Sequence, residues 1–156
     1  MKTEGERLCD WVEKLPEACP LNVSLELLGD RWSLLIIRDL MFHGFCTYKE
    51  FLGSKEGIAT NILADRLRRL EAFGIISTQR EAKDRRKLIY RLTAKGIDLA
   101  PVLVELILGG ARYEETAAPR ALIRRMEKQR EELLSELRQR WLEGESSSVI
   151  PKGRGR

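Results

Sequence analysis

Two stretches of the 156-residue sequence carry side chains suited to reading and holding a polyanion. In the first, Ala59, Thr60, Asn61, Ala64, Asp65 and Arg68 fall on one side of the run Ile58–Phe73, opposite Ile58, Ile62, Leu63, Leu67 and Leu70 at helical spacing. Asparagine matches an adenine edge with a paired donor and acceptor, and threonine offers a methyl group to thymine. In the second, Arg80, Lys83, Arg85, Arg86, Lys87 and Arg91 stand against only Glu81 and Asp84, a surplus equal to the formal net charge of the whole chain, +4. Lys83, Arg85, Arg86 and Lys87 are therefore candidates for phosphate contacts driven by charge and counterion release. Tyr48 and Lys49 are candidates for the same backbone, and Arg66 and Arg69 would extend the footprint.

The surrounding elements must place these groups side by side. Leu8, Trp11, Val12 and Leu15 predict a short helix stopped by Pro16, in an arm over residues 1–18. Val23–Leu28 is a short helix ended by Gly29, and Trp32–Phe42 is a second with so little polar surface that it belongs at the centre of the core. Thr47 is placed to cap a short helix through Leu52, with Glu50 completing a capping box. After the turn 53–57 comes the long helix Ile58–Phe73, with Gly74 as its stop. Ile75–Arg80 and Leu88–Leu92 then form a β-hairpin around the charged turn 81–87. Thr93 caps a helix over Ala94–Leu108 that Gly109-Gly110 ends. A last amphipathic helix, about Pro119 to Leu142, aligns Leu122, Met126, Leu133, Leu137 and Trp141 and breaks at Gln129-Arg130. Its stripe, with that of the first helix, predicts packing across a homodimer, and Trp11 and Trp141 would pack there or line a ligand pocket. The Ser- and Gly-rich basic end, 144–156, reads as disordered.

Short helix, turn, long helix with a small polar face, then a basic hairpin is an order that sets one helix in a DNA major groove. The residues that do this also resemble a known family. Cys19-Pro20 and the run from Leu28-Gly29-Asp30-Arg31-Trp32 to Arg38-Asp39-Leu40 resemble the start of the HxlR family of bacterial winged-helix regulators. Thr47-Tyr48-Lys49-Glu50-Phe51, Gly57-Ile58 through Leu63, Arg66 to Glu71, Gly74-Ile75, and Tyr90-x-Leu92-Thr93-x-x-Gly96 with Leu99-x-Pro101-Val102-Leu103 continue the likeness to Leu108. The hairpin lacks the Pro-Pro turn common in that family, and Gly109-Gly110 stands where Trp-Gly is frequent. The resemblance implies a homodimer on a two-fold operator of double-stranded DNA, most often a repressor, with recognition helices about 34–36 Å apart. It also implies that Cys19, just before a proline, is a candidate redox or electrophile sensor, with an inert thiol as the alternative. A small-molecule effector is a further candidate partner.

The expected fold is thus mainly α with a small β-hairpin (α+β), a winged helix-turn-helix over 19–110 with N- and C-terminal dimerisation helices, the latter within 111–143. Other chemistries find little support. Three cysteines without Cys-x-x-Cys spacing and a single histidine, His43, offer no metal site and suit the reducing cytoplasm. Cys46 with His43 lacks an orienting residue for nucleophilic catalysis, so neither an enzyme nor a cofactor is expected. The apolar run Leu34–Ile37 is too short to span a membrane, and Glu4, Glu6, Asp10 and Glu13 argue against a signal peptide. The competing functional class is a protein-interaction module, whose binding would not weaken with salt as DNA binding does.

Overall fold

Asp30 is where the chain commits to its central helix. Its Oδ1 accepts from the backbone N–H groups of Trp32 (3.1 Å) and Ser33 (3.0 Å), and its Oδ2 from the Ser33 hydroxyl (2.5 Å). The orphan donors of the first turn are thereby satisfied. In the computed structural model, which describes residues 19–145, 148 and 149, the order is α1 (Pro20–Leu28), α2 (Arg31–Arg38), a π-helical turn (Asp39–His43), α3 (Tyr48–Leu52), α4 (Thr60–Ala72), β1 (Ile76–Arg80), β2 (Leu88–Leu92), α5 (Ala94–Ile97), α6 (Ala100–Tyr113), α7 (Arg120–Lys128) and α8 (Arg130–Leu142). The arm over residues 1–18, with its helical stripe, lies outside the described residues.

The helix expected over Trp32–Phe42 is regular only to Arg38, then widens into the π turn. Asp39 explains the change. Asp39 is 3% exposed, and its Oδ1 accepts from Arg38 Nε (2.9 Å) and Nη2 (2.6 Å), with His43 Nδ1 at 2.7 Å, so the widened turn brings two side chains onto one buried oxygen. Gly44 closes it at φ 71°, a backbone state that costs glycine little.

The strands pair antiparallel in the register Ile76↔Leu92, Thr78↔Tyr90 and Arg80↔Leu88. Ile76, Tyr90 and Leu92 face the core from this hairpin. A bond from Tyr90 N–H to the Cys46 carbonyl (2.8 Å) ties the hairpin to the segment leading into α3.

Three further features differ from the sequence reading. The expected helix Ala94–Leu108 breaks after Ile97, because Pro101 has no N–H to return to that carbonyl; α6 starts afresh at Ala100 with Pro101 in its first turn. Gly109-Gly110 do not end α6, which continues to Tyr113. Glycine costs about 1 kcal/mol in a helix interior, and buried Leu103, Val104 and Leu108 outweigh it at about 1.5–3 kcal/mol each. Finally, the stripe assigned to a dimer surface is used within the chain. Leu122, Met126, Leu133 and Leu137 are all at most 9% exposed, and the Trp141 indole N–H donates to the Leu92 carbonyl at 2.8 Å. The break at Gln129 falls where the sequence places it, at φ −129°, ψ 38°. In the end expected to be disordered, Val149 N–H and the Ser148 hydroxyl donate to the Phe42 carbonyl (2.9 and 3.2 Å).

Candidate nucleic-acid interface

The helix-turn-helix is assembled by short-range polar chemistry. Thr47 caps α3, and Glu50 Oε2 accepts from Cys46 N–H (2.9 Å), Thr47 N–H (2.9 Å) and the Thr47 hydroxyl (2.8 Å), so the capping box is complete. Burial raises the Glu50 pKa, but hydrogen bonds from the Cys46 backbone and from Thr47 outweigh it and draw it below the usual range. Phe51 buries the inner face of α3 against Tyr90, their rings edge-on at 5.9 Å.

The long helix begins at Thr60, two residues later than its apolar pattern suggests. Ile58 is a buried anchor before the N-cap, and Ala59, extended at that position, supplies no side-chain cap. The first N–H groups of α4 are therefore left to solvent or to an anion. Leu63, Leu67 and Leu70 bury the inner face, while Ala59, Thr60, Asn61, Ala64 and Arg68 are exposed together on the outer one. At the far end Gly74, at φ 70°, passes Ile75 N–H back to the Leu70 carbonyl and its own N–H to Glu71. This Schellman ending turns the chain sharply into β1.

Asp65, expected on the reading face, is half-buried and paired with Arg66 and with Arg68 (3.7 Å). Tyr48 donates its phenol to the Thr60 carbonyl at 3.0 Å, which pins the first turn of α4 to α3; Lys49 stands exposed beside it. Arg66 and Arg69 face inward. Arg66 Nε reaches Asp30 (2.8 Å), whereas Arg69 lies over the Phe73 ring and donates to the Glu26 carbonyl. They orient the helix instead of widening its cationic face.

Sequence reasoning missed the groups that aim α4. Arg38 Nη1 donates to Glu56 Oε1 at 2.6 Å, so the end of α2 holds the turn before the reading helix. That hydrogen bond keeps the Glu56 carboxyl down at about 2. A depressed folded pKa contributes stability that is complete above the ordinary value of 4.5 and is lost as pH falls towards 2. Both side chains keep contact with water, so the contribution is discounted to about 1–2 kcal/mol. Glu56→Gln is accordingly expected to remove part of the loss of stability between these two pH values, read as urea midpoints. Equal acid sensitivity in variant and parent would refute the assignment. Nothing in the spacing of Arg38 and Glu56 signals the pair, because the contact exists only once α2 crosses the turn.

In the hairpin, the tip is braced from within. Arg86 N–H donates to the Asp84 carboxylate (3.1 Å), Arg80 Nη1 to the Arg85 carbonyl (2.7 Å), and Lys87 pairs with Glu81 at 3.1 Å. Arg91 turns away, donating to the Gly144 carbonyl at 3.0 Å. Lys83, Arg85 and Arg86 remain exposed at the tip with no acidic partner among the described residues. Cys19 is exposed at the start of α1, and Cys46 is half-buried; both thiols are free. Among the described residues no cluster of three metal-ligating side chains exists, and no helix is long and apolar enough to cross a membrane.

A capped short helix, a turn, an exposed reading helix and a basic hairpin on one core define a winged helix-turn-helix transcriptional regulator. The chain belongs to the HxlR-like helix-turn-helix family, whose sequence model matches residues 27–118. It is 35% identical over 97 residues to the HTH-type transcriptional regulator sll1512 of Synechocystis, covering 62% of this chain and 71% of that one. It is 38% identical over 89 residues to the HTH-type transcriptional regulator YodB of Bacillus subtilis, covering 56% and 79%. The reduced form of YodB superimposes with a TM-score of 0.52 at 34% identity, over 61% of this chain and 93% of that one. The solved structure of PA1607 does so with a TM-score of 0.61 at 36% identity, over 69% and 73%.

Proposed function

We propose that the protein is a cytoplasmic repressor that binds a two-fold operator as a homodimer, reading bases with Thr60 and Asn61 and clamping phosphates with Lys83, Arg85 and Arg86. The observation that carries this reading is the joint exposure of the first turn of α4 and of hairpin cations without acidic partners. Such a surface matches a groove edge flanked by phosphates. Selection of bound sequences from a random DNA pool tests it. The expected result is a palindrome with half-sites about one helical turn apart. Asn61→Ala should lose about 1–3 kcal/mol of discrimination at one base position per half-site while binding to unrelated DNA stays the same. Recovery of no motif, with binding insensitive to salt, would favour a protein-interaction module instead.

The second half of the proposal, the dimer, rests on α6 and α1 rather than on the C-terminal helices. Val102, Leu106 (54% exposed) and Tyr113 (84%) lie along the outer side of α6, and Leu21 and Leu25 are exposed on α1. Two recognition helices must be held at fixed spacing, and an apolar helix face is the kind of surface that holds them. Leu106→Glu is expected to yield monomers by sedimentation and to lower operator affinity, while the variant still melts cooperatively. A variant that stayed dimeric would remove α6 from the interface.

A further inference from the structure

The chain that leaves α8 is tied back to the hairpin and to the π turn. The Trp141 indole donates to the Leu92 carbonyl (2.8 Å), and Arg91 Nη1 to the Gly144 carbonyl (3.0 Å). Further on, the Ser148 hydroxyl (3.2 Å) and Val149 N–H (2.9 Å) both donate to the Phe42 carbonyl in the π turn. Val149 shares the lining of one hollow with Tyr90, Leu92 and Trp141, which sets it at the base of β2. In the sequence it is followed by Ile150-Pro151-Lys152-Gly153-Arg154-Gly155-Arg156, and residues 146–156 hold three cations and no acidic residue. Seven residues reach at most about 23–25 Å. The five residues of β2 cover about 17 Å between that base and the basic tip. The cations that follow Val149 are therefore within reach of a polyanion held at Lys83, Arg85 and Arg86.

We propose that residues 151–156 are a second DNA-binding element, an arm that places Lys152, Arg154 and Arg156 in the minor groove of an A/T-rich flank beside each half-site. The alternation Lys-Gly-Arg-Gly-Arg sets a long cation at every second residue with no Cβ between, so the backbone can approach the floor of a groove only about 6 Å wide. A narrow A/T groove concentrates negative potential, and arginine is a side chain that inserts there. The ties at Ser148 and Val149 fix where the arm starts, beside the strand that carries the basic tip, and so keep its concentration at the DNA high. The arm rests on the reading of the hairpin as a phosphate clamp given above. It adds to that reading a preference for base composition outside the palindrome, which phosphate contacts alone do not supply.

The test measures the full chain on its selected palindrome, flanked by A/T or by G/C pairs, across a salt series. The parent should favour A/T flanks by on the order of tenfold. Lys152→Gln, Arg154→Gln and Arg156→Gln together should abolish that preference and flatten the log–log salt dependence by about five, from ~0.9 for each of three cations in two copies. The same variant should keep the parent's melting temperature and select the same palindrome. Arg154→Lys with Arg156→Lys should keep the salt slope and lose most of the flank preference, because the more strongly hydrated ammonium enters a narrow groove less readily. Ten Gly/Ser residues inserted after Val149 retain every cation but dilute each arm about fourfold, and should weaken binding to A/T flanks by that factor or more. A triple variant with the parent's slope, a parent indifferent to its flanks, or an insertion without effect would overturn the anchored arm, while the palindrome and the hairpin's own salt dependence stood. A parent that selects no palindrome would sink the regulator reading and the arm with it.

Discussion

Replacing Lys83, Arg85 and Arg86 together by glutamine is expected to flatten the log–log dependence of DNA affinity on salt by about five, from ~0.9 for each of six phosphate contacts in the proposed dimer. Near 0.1 M salt the same loss amounts to a fall in affinity on the order of 10³-fold or more. Folding should be untouched, because the three side chains are exposed and have no acidic partner among the described residues. The selected operator sequence should also be retained, since phosphate contacts position the protein without reading bases. Lys87→Gln alone should do less than any one of the three, because the Lys87 ammonium is already offset by Glu81 at 3.1 Å. Fluorescence anisotropy across a salt series measures all of this. A triple variant with the parent's slope would place the hairpin off the DNA.

Gly96→Ala should destabilise the fold more than any exposed substitution. A Cβ at this position would stand 2.2 Å from the Ile75 carbonyl oxygen, 3.0 Å from Leu92 Cδ2 and 3.2 Å from its Cβ. The nearest of these is backbone, and it cannot rotate away. That carbonyl also accepts from Thr93 N–H (3.0 Å) and from the Thr93 hydroxyl (3.1 Å), so the junction of hairpin and α5 is held from several sides. Relief requires the whole junction to part, at a cost of about 2–4 kcal/mol, in the upper range for overpacking. In a chain of this size that corresponds to a fall in melting temperature of roughly 6–15 °C. DNA binding below the melting transition should weaken too, because β1 and β2 carry the basic tip. A melting temperature within about 2 °C of the parent, the scale of a neutral surface change, would show that the junction can yield.

Wherever neighbours in the chain fix the outcome, the amino-acid order by itself determined it. The capping box of Thr47 and Glu50 is a contact over three residues, and its sequence signature is the structure. Gly74 marks the end of α4 because only a left-handed residue closes that helix, and the switch from helical to alternating apolar spacing at Ile75 announces the hairpin. The same local logic identified Thr60 and Asn61 as exposed, since Leu63, Leu67 and Leu70 claim the other side of the helix.

What tertiary structure decided is the fate of groups whose partners lie far away in sequence. The spacing of Arg66 and Arg69 places them beside Arg68, yet Asp30, thirty-six residues before Arg66, draws one inward and the Glu26 carbonyl draws the other. Gly109-Gly110 read locally as a helix end, but the burial of Leu108 and its neighbours carries α6 through them. The stripe of α7 and α8 is amphipathic whether its cover is a second chain or its own core. Periodicity records that a face is buried and not against what. Here Trp141, reaching the carbonyl of Leu92 forty-nine residues away, fixes the answer as the chain's own hairpin.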